Sequence, residues 1–409
     1  MKIILFILAL FFTILSEAKQ IEVCSTCTVK SLKKAVEIAK AGDEIVLKKG
    51  FYKESNIVIT KPLIIRGENN PIIDGGGLNY IFQIKADSVT LSGLNLQNVH
   101  TSYSQDLAAI YISRSKYFTI TNNFISNMFF GILVEKSHHG EVANNTLSSN
   151  GTQEYNSGNG IHLWHCNNVA IHGNNIVGMR DGIYFEFVTK SKVYNNQSNK
   201  NLRYGLHFMF SNENEYYDNT FTNNGAGVAV MFSKFVKIYR NKFVKNWGTA
   251  AYGVLLKEIY DAEITDNVFD ENTIGINTEG CTRINYLNNL FIRNGWAVKV
   301  TGACYANKFK NNNFISNAFN LSYSGRMNDS DFNSNFWDDY TGYDLNKDGV
   351  GDVAYRPVKL FSYIVNKTPE TIVLLRSLFV DMINFSEKVS PVFTPDDLLD
   401  NTPLMKQVK

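Results

Sequence analysis

Between Gly160 and Asn246 the chain repeats itself: GIHLWHCNNVAIHGNNI (160–176), DGIYFEFVTKSKVYNNQ (181–197), YGLHFMFSNENEYYDNTF (204–221) and AGVAVMFSKFVKIYRNKF (226–243). Each copy is a Gly with an alternating apolar run, a second short alternating run, and an Asn-x-apolar element. Anchoring on that Asn gives Asn122, Asn145, Asn174, Asn196, Asn219, Asn241, Asn267, Asn289 and Asn312, and six of the eight spacings are 22 or 23 residues. A period-2 unit of this length cannot bury its apolar face alone, so it must stack on copies of itself as a solenoid. Leucine-rich repeats share the length but need a Leu-rich frame and a helical segment in each repeat. Here β-branched and aromatic residues dominate, and the constant Asn tolerates left-handed turns and can hydrogen-bond to the turns above and below. The pattern predicts an all-β chain, a right-handed single-stranded parallel β-helix of about a dozen turns from roughly Asp43 to Asp352.

Working outward, the chain divides into 1–18, 19–355 and 356–409. Met1-Lys2, the apolar run Ile3 to Leu15 and Ser16-Glu17-Ala18 have the layout of a secretory signal cleaved after Ala18, which places the remainder outside the cytoplasm. The run falls short of a bilayer span. Thr28 to Lys40 puts Leu32, Ala35, Val36 and Ala39 on one helical face, the expected N-terminal cap, and Glu44–Leu47 is expected to open the first strand. In the tail, Pro357 to Tyr363 reads as an extended strap. Ile372 to Phe385 reads as a broadly apolar helix covering the last turn, and Val389 to Pro403 as an irregular segment unsuited to capping. The strap and the region after Pro391 are expected to meet a partner.

With 40 Lys+Arg against 38 Asp+Glu, a net charge of +2 offers no field for nucleic acid. Five Cys are present. Cys24 and Cys27 suit either a local disulfide or a thiolate metal site. Cys166 and Cys281 share a column five turns apart, cannot pair, and read as buried core.

Sugar-cleaving enzymes use such folds, so the outward positions two and four residues after each repeat Gly decide the chemistry. They read Leu133/Glu135, His162/Trp164, Tyr184/Glu186, His207/Met209, Ala229/Met231, Leu255/Lys257 and Asn277/Glu279. Carboxylates never fall on neighbouring turns, leaving them ~10 Å apart where a retaining pair needs ~5 Å. No catalytic residue is assigned. His162, His207, Met209 and Met231 bring imidazole and thioether donors, which suit copper(I); the alternative is that they fill a binding surface or pack beneath a loop. Two insertions, Asn150 to Asn159 and Trp247 to Tyr252, are expected to project from one edge. Asp344, Asn346, Asp348 and Asp352, with Gly349, match positions of a calcium loop, but Tyr355 stands where the bidentate Glu belongs. Either a calcium or magnesium ion or a tight Asx-turn structure fits.

Gly182 to Asn246, the Asn335-Phe336-Trp337-Asp338-Asp339-Tyr340-Thr341-Gly342-Tyr343-Asp344 phrase, Tyr355 to Tyr363 and Pro403-Leu404-Met405 together resemble the NosD family of periplasmic maturation proteins for nitrous oxide reductase. The resemblance implies a non-enzymatic role beside an ABC-type permease and its ATPase, and peripheral membrane association through that permease. It also implies copper handling for the reductase, with the ion received from a copper chaperone lipoprotein. A secreted carbohydrate-active or carbohydrate-binding β-helix is the alternative.

Overall fold

In the computed structural model, residues 19–408 are described apart from 78, 103, 249, 325–328 and 390–397; the signal-like segment 1–18 lies outside them. Three parallel sheets of 14, 13 and 12 strands wind into a right-handed parallel β-helix. Sheet 1 runs from Gln20–Val23 to Asp331–Asn333, sheet 2 from Phe51–Lys53 to Phe336–Trp337, and sheet 3 from Ile57–Ile59 to Phe319–Ser324. One turn takes a strand from each: Ile161–Trp164, Ala170–His172 and Asn175–Val177, before Ile183–Glu186 starts the next.

Equivalent residues of successive turns lie in register, so like stacks on like. Phe221, Phe243, Phe269, Phe291, Phe314 and Trp337 form an interior ring stack with centroids 4.1 to 5.5 Å apart. The repeat Gly follows from crowding between turns. A Cβ on Gly205 would sit 2.7 Å from both the Gly227 carbonyl oxygen and the Phe221 ring, so no side chain fits.

The Asn column forms a hydrogen-bonded ladder. In each rung the backbone N–H and the Nδ2 donate to the Oδ1 of the next turn, as from Asn196 to Asn219 and from Asn219 to Asn241, all at 3.0 Å. The first rung is Asn123, not Asn122. Asn122 is the left-handed residue beside it (φ +56°), while Asn123 donates to Asn145. A second ladder through Asn201, Asn224, Asn246, Asn272, Asn294 and Asn317 runs along the corner between sheets 2 and 3.

Both ends differ from expectation. Gln20–Val23 pairs with Glu44–Leu47, so the solenoid opens before helix α1 (Leu32–Ile38) rather than after it. Two alternating apolar residues, Ile21 and Val23, are too short a signal to read alone. Helix α1 is capped by Ser31 and buries Leu32, Ala35 and Val36 in the first turns; Cys24 and Cys27 form a disulfide. At the other end, the expected extended strap, Pro357 to Tyr363, turns helical from Leu360, where helix α2 (Leu360–Lys367) begins. Helix α2 and helix α3 (Leu378–Val389) pack through Phe361, Val365 and Val380 on Ile274, Trp296 and Phe319, along the side of sheet 3 rather than over its end. The end is covered by residues 398–408, which begin inside the segment expected not to cap, Val389 to Pro403, and run past it. The reason is Asp400: fully buried, it accepts from Asn335 N, Asn335 Nδ2 and Trp337 Nε1, terminating the first ladder with an acceptor. Among the described residues, no helix is long and apolar enough to cross a membrane.

Candidate functional site

Sheet 3 carries the candidate donors on its outer face in two rows. The outer row, four residues after each repeat Gly, runs Glu135, Trp164, Glu186, Met209, Met231, Lys257 and Glu279 in register. Met209 and Met231 are direct partners on adjacent strands and both are half-buried. The row two residues after each Gly was expected to face solvent, but Leu133, His207, Ala229, Leu255 and Asn277 are at most 9% exposed. The connection 149–160 lies over part of this row: Asn159 Nδ2 approaches His162 Nδ1 at 3.4 Å, Arg180 donates to Asn159 at 3.1 Å, and Arg203 Nε stands 3.9 Å from Glu154.

Under this cover sits a polar cluster in which His162, Tyr184 and His207 are joined by Arg180, Asp181 and Arg203, three residues that counting forward from the Gly misses. Tyr184 lies between His162 and His207, with T-shaped ring contacts at 4.6 and 4.9 Å. Asp181 is fully buried, with Oδ2 3.6 Å from His207 Nδ1 and Oδ1 3.9 Å from Arg203 Nε. His162 Nε2, both ring nitrogens of His207, Asp181 Oδ2 and Arg180 Nε are buried without a hydrogen-bond partner. Burial, aided by the Arg180 charge, lowers the His162 pKa to about 4. Burial likewise pushes the Tyr184 phenol to about 12, and its hydroxyl donates to Met209 Sδ at 3.6 Å. The missed residues had a signal: Asp181 is the charged residue immediately before a repeat Gly, where other turns place Phe130, Asn159, Tyr204, Ala226 and Tyr252.

The structure therefore brings Met209 and Met231 together and keeps His162 and His207 apart, with the Tyr184 ring between them. Among the described residues, no group of three or more His, Cys, Asp or Glu is placed to hold a metal ion. The Asp344 loop is organised on itself. Asp344 accepts from Asp348 N and Gly349 N, Asp348 from Val350 N, and Asp352 from Leu345 N, with Asn346 bonded to Asp348. That is an Asx-turn arrangement. Cys166, Cys281 and Cys304 are buried free thiols, and burial raises the pKa of Cys166 to about 12 and of Cys281 to about 11. Of the outer-row carboxylates, Glu135 accepts from Tyr111 at 2.7 Å and Glu279 pairs with Lys257 at 3.3 Å.

A family model described as "Periplasmic copper-binding protein (NosD)" matches residues 148–342, which span the cluster and the Met pair. Two relatives, each named "Probable ABC transporter binding protein NosD", align over most of the chain. The one from Pseudomonas aeruginosa is 26% identical over 86% of this chain and 86% of its own. The one from Stutzerimonas stutzeri is 26% identical over 86% and 85%. Among solved structures, the family 28 exopolygalacturonase of Yersinia enterocolitica shares the fold at a TM-score of 0.60, with 10% identity over 77% of this chain and 78% of that one. At that identity the likeness speaks for the fold alone.

Proposed function

We propose that this chain, whose assignment to the NosD family the family match and both relatives support, is a periplasmic accessory protein that handles copper(I) for the maturation of nitrous oxide reductase. It works beside an ABC-type permease and its ATPase, receives its ion from a copper chaperone lipoprotein, and is not an enzyme. Copper is cargo here. The observation that carries the reading is the in-register pair Met209 and Met231 on the outer row. Two thioethers suit a soft ion, and adjacent strands ~4.8 Å apart let both sulfurs converge on it. His207, two residues from Met209, lies in the buried row and is not needed in the first coordination sphere.

Polysaccharide cleavage fits less well. Two of the outer-row carboxylates are engaged, and Asp181 and His207 are buried beneath their neighbours. The tail supplies a surface for the permease. Leu378, Phe379, Met382 and Phe385 of α3 are 75, 55, 62 and 70% exposed, an apolar face of the kind that marks a protein contact and would hold the chain at the membrane through its partner.

The test is the double variant Met209→Leu/Met231→Leu. Chelator competition should show copper(I) affinity reduced by about tenfold or more, and reductase matured with it should be copper-deficient. Unchanged affinity together with full copper loading of the reductase would remove the Met pair from the function.

A further inference from the structure

Helix α3 turns apolar residues outward and polar ones inward. Leu378, Phe379, Met382 and Phe385 are exposed, while Val380, Asn384 and Glu387, spaced i, i+4 and i+7, share the face that packs toward the solenoid. Glu387 is only 9% exposed, a rare place for a carboxylate. One of its oxygens accounts for part of that burial. Oε2 accepts at 2.8 Å from the Leu360 N–H, the first of α2, which the side chain of Lys359 at the cap position leaves unbonded. The other oxygen has no such use: Glu387 Oε1 and Asn384 Oδ1 are both buried and both without a hydrogen-bond partner. Two neighbouring acceptors left empty carry a desolvation cost that a bound donor would remove.

Both residues line a pocket of about 210 Å³, which among the described residues is completed by Asp339, Arg356 and Lys359. At ~30 Å³ for each water, this is room for an organic molecule of several heavy atoms rather than for one bare ion. Calcium would need roughly six to eight oxygens at about 2.3–2.6 Å, and the cationic Arg356 and Lys359 on the same wall oppose it. The charges sort to two sides. The empty acceptors are on α3, and the cations are on the segment leading into α2, where Lys359 Nζ lies 3.6 Å from Asp339 Oδ2 and 4.4 Å from the centre of the Tyr355 ring. Asp339 is itself engaged, accepting from the Tyr355 hydroxyl and from Asn320 Nδ2. Two carboxylates and two cations leave the wall neutral, so a molecule that carries both signs fits where a plain cation or anion does not.

We propose that this pocket binds the zwitterionic head of ethanolamine phosphate, with the ammonium donating to Glu387 Oε1 and Asn384 Oδ1 and the phosphate accepting from Lys359 and Arg356. A primary ammonium brings three N–H donors on a compact charge, enough for both empty acceptors, and ammonium and guanidinium side chains are strong donors to phosphate. The head can come from a phospholipid at the membrane surface or from the free soluble molecule; the chemistry of the pocket is the same for both. It owes nothing to Met209 and Met231, and so stands or falls apart from the copper reading.

The test is calorimetric titration of the full chain with O-phosphoethanolamine. Phosphocholine, whose methylated nitrogen has no hydrogen to give, is the comparison. Phosphoethanolamine should bind about tenfold tighter or more than phosphocholine, and Glu387→Gln, which keeps an oxygen for the Leu360 N–H but loses the charge, should weaken it by about tenfold. If that variant does not fold, Asn384→Leu, which leaves the start of α2 untouched, is read by the same criterion. Flotation with phosphatidylcholine vesicles that contain or lack phosphatidylethanolamine identifies the source. Flotation that needs phosphatidylethanolamine and is lost in Glu387→Gln assigns the lipid; binding in the titration without such flotation assigns the free molecule. No binding of phosphoethanolamine, equal affinity for phosphocholine, unchanged affinity in both variants, or tighter binding of an amino acid such as glycine overturns the assignment.

Discussion

Replacing Asn219 with Leu removes a rung from the middle of the first ladder. Asn219 Oδ1 accepts from Asn196 N and Asn196 Nδ2, and its Nδ2 donates to Val193 O at 2.9 Å and to Asn241 Oδ1 at 3.0 Å. Not all of these partners are orphaned. Asn196 Nδ2 keeps Ile171 O and Tyr194 O, and Asn241 Oδ1 keeps Asn219 N. The Asn196 N–H loses its side-chain acceptor and Val193 O its side-chain donor, both in a place water does not reach. At ~1–3 kcal/mol for each buried group left unmade, less the gain from burying Leu, the net cost is about 2–4 kcal/mol. Lys237→Leu, at an exposed position of sheet 1, should stay within about 0.5 kcal/mol. Thermal and urea unfolding of both variants measure the difference. Equal midpoints for Asn219→Leu and Lys237→Leu would refute the claim that the ladder stabilises the fold.

The other expectations concern the ends and the buried cluster. Asp400→Ala should fray the last turns, seen as faster hydrogen exchange around Asn335 and Trp337, because three donors lose one acceptor; unchanged exchange there would contradict its role as terminator. Deleting everything after Lys359 should also abolish co-purification with the permease while most strand content survives, whereas Asp400→Ala, which keeps α2 and α3, should retain it; a truncated chain that still co-purifies would free the tail from docking. His162 is held near pKa 4 against an ordinary 6.5, so the stability tied to its neutral form is complete above 6.5 and is lost as pH falls toward 4, by at most about 3 kcal/mol. His162→Gln should flatten that part of the stability profile, and an unchanged acid slope would show that the group does not titrate low.

What could be read from the chain depended on whether a feature is periodic. The repeat spacing of Asn145 to Asn312 carried the solenoid, and the same spacing placed Met209 beside Met231 and His162 two turns from His207. Asn122 was misplaced by one residue because Asn122-Asn123 offers two candidates, and only the left-handed conformation of the first separates them. Asp181 and Arg203 escaped because they sit before their repeat Gly, in the corner between sheets, outside the positions counted forward from it; Arg180 and Arg203 do recur two residues before Gly182 and Gly205, a signal that forward counting passes over. The burial of His207 depends on side chains and connections that are not periodic. The tail was hardest. Asp400 acts by meeting Asn335 across 65 residues, and nothing local to either position announces that contact.

From one Asn side chain to the next the ladder has a direction: every rung donates its N–H and an Nδ2 hydrogen to the Oδ1 of the following turn and accepts on its own Oδ1 from the turn before, while Nδ2 also donates back to a main-chain carbonyl of an earlier turn. It begins where the Leu94 N–H feeds Asn123 Oδ1 and stops where Asp400, all acceptor, receives Asn335. Such a column behaves like a polymer with an initiator and a chain terminator, so whole units of 22 or 23 residues can be gained or lost between them without altering the chemistry of either end. Rod length is then counted in whole steps. Four steps separate the strand of Met231 from Phe319–Ser324, on which α2 rests, a span of roughly 19 Å at the usual strand spacing. Gene duplication or deletion of one unit would shift that reach by a single notch, letting evolution set the distance between two bound partners as if on a ratchet.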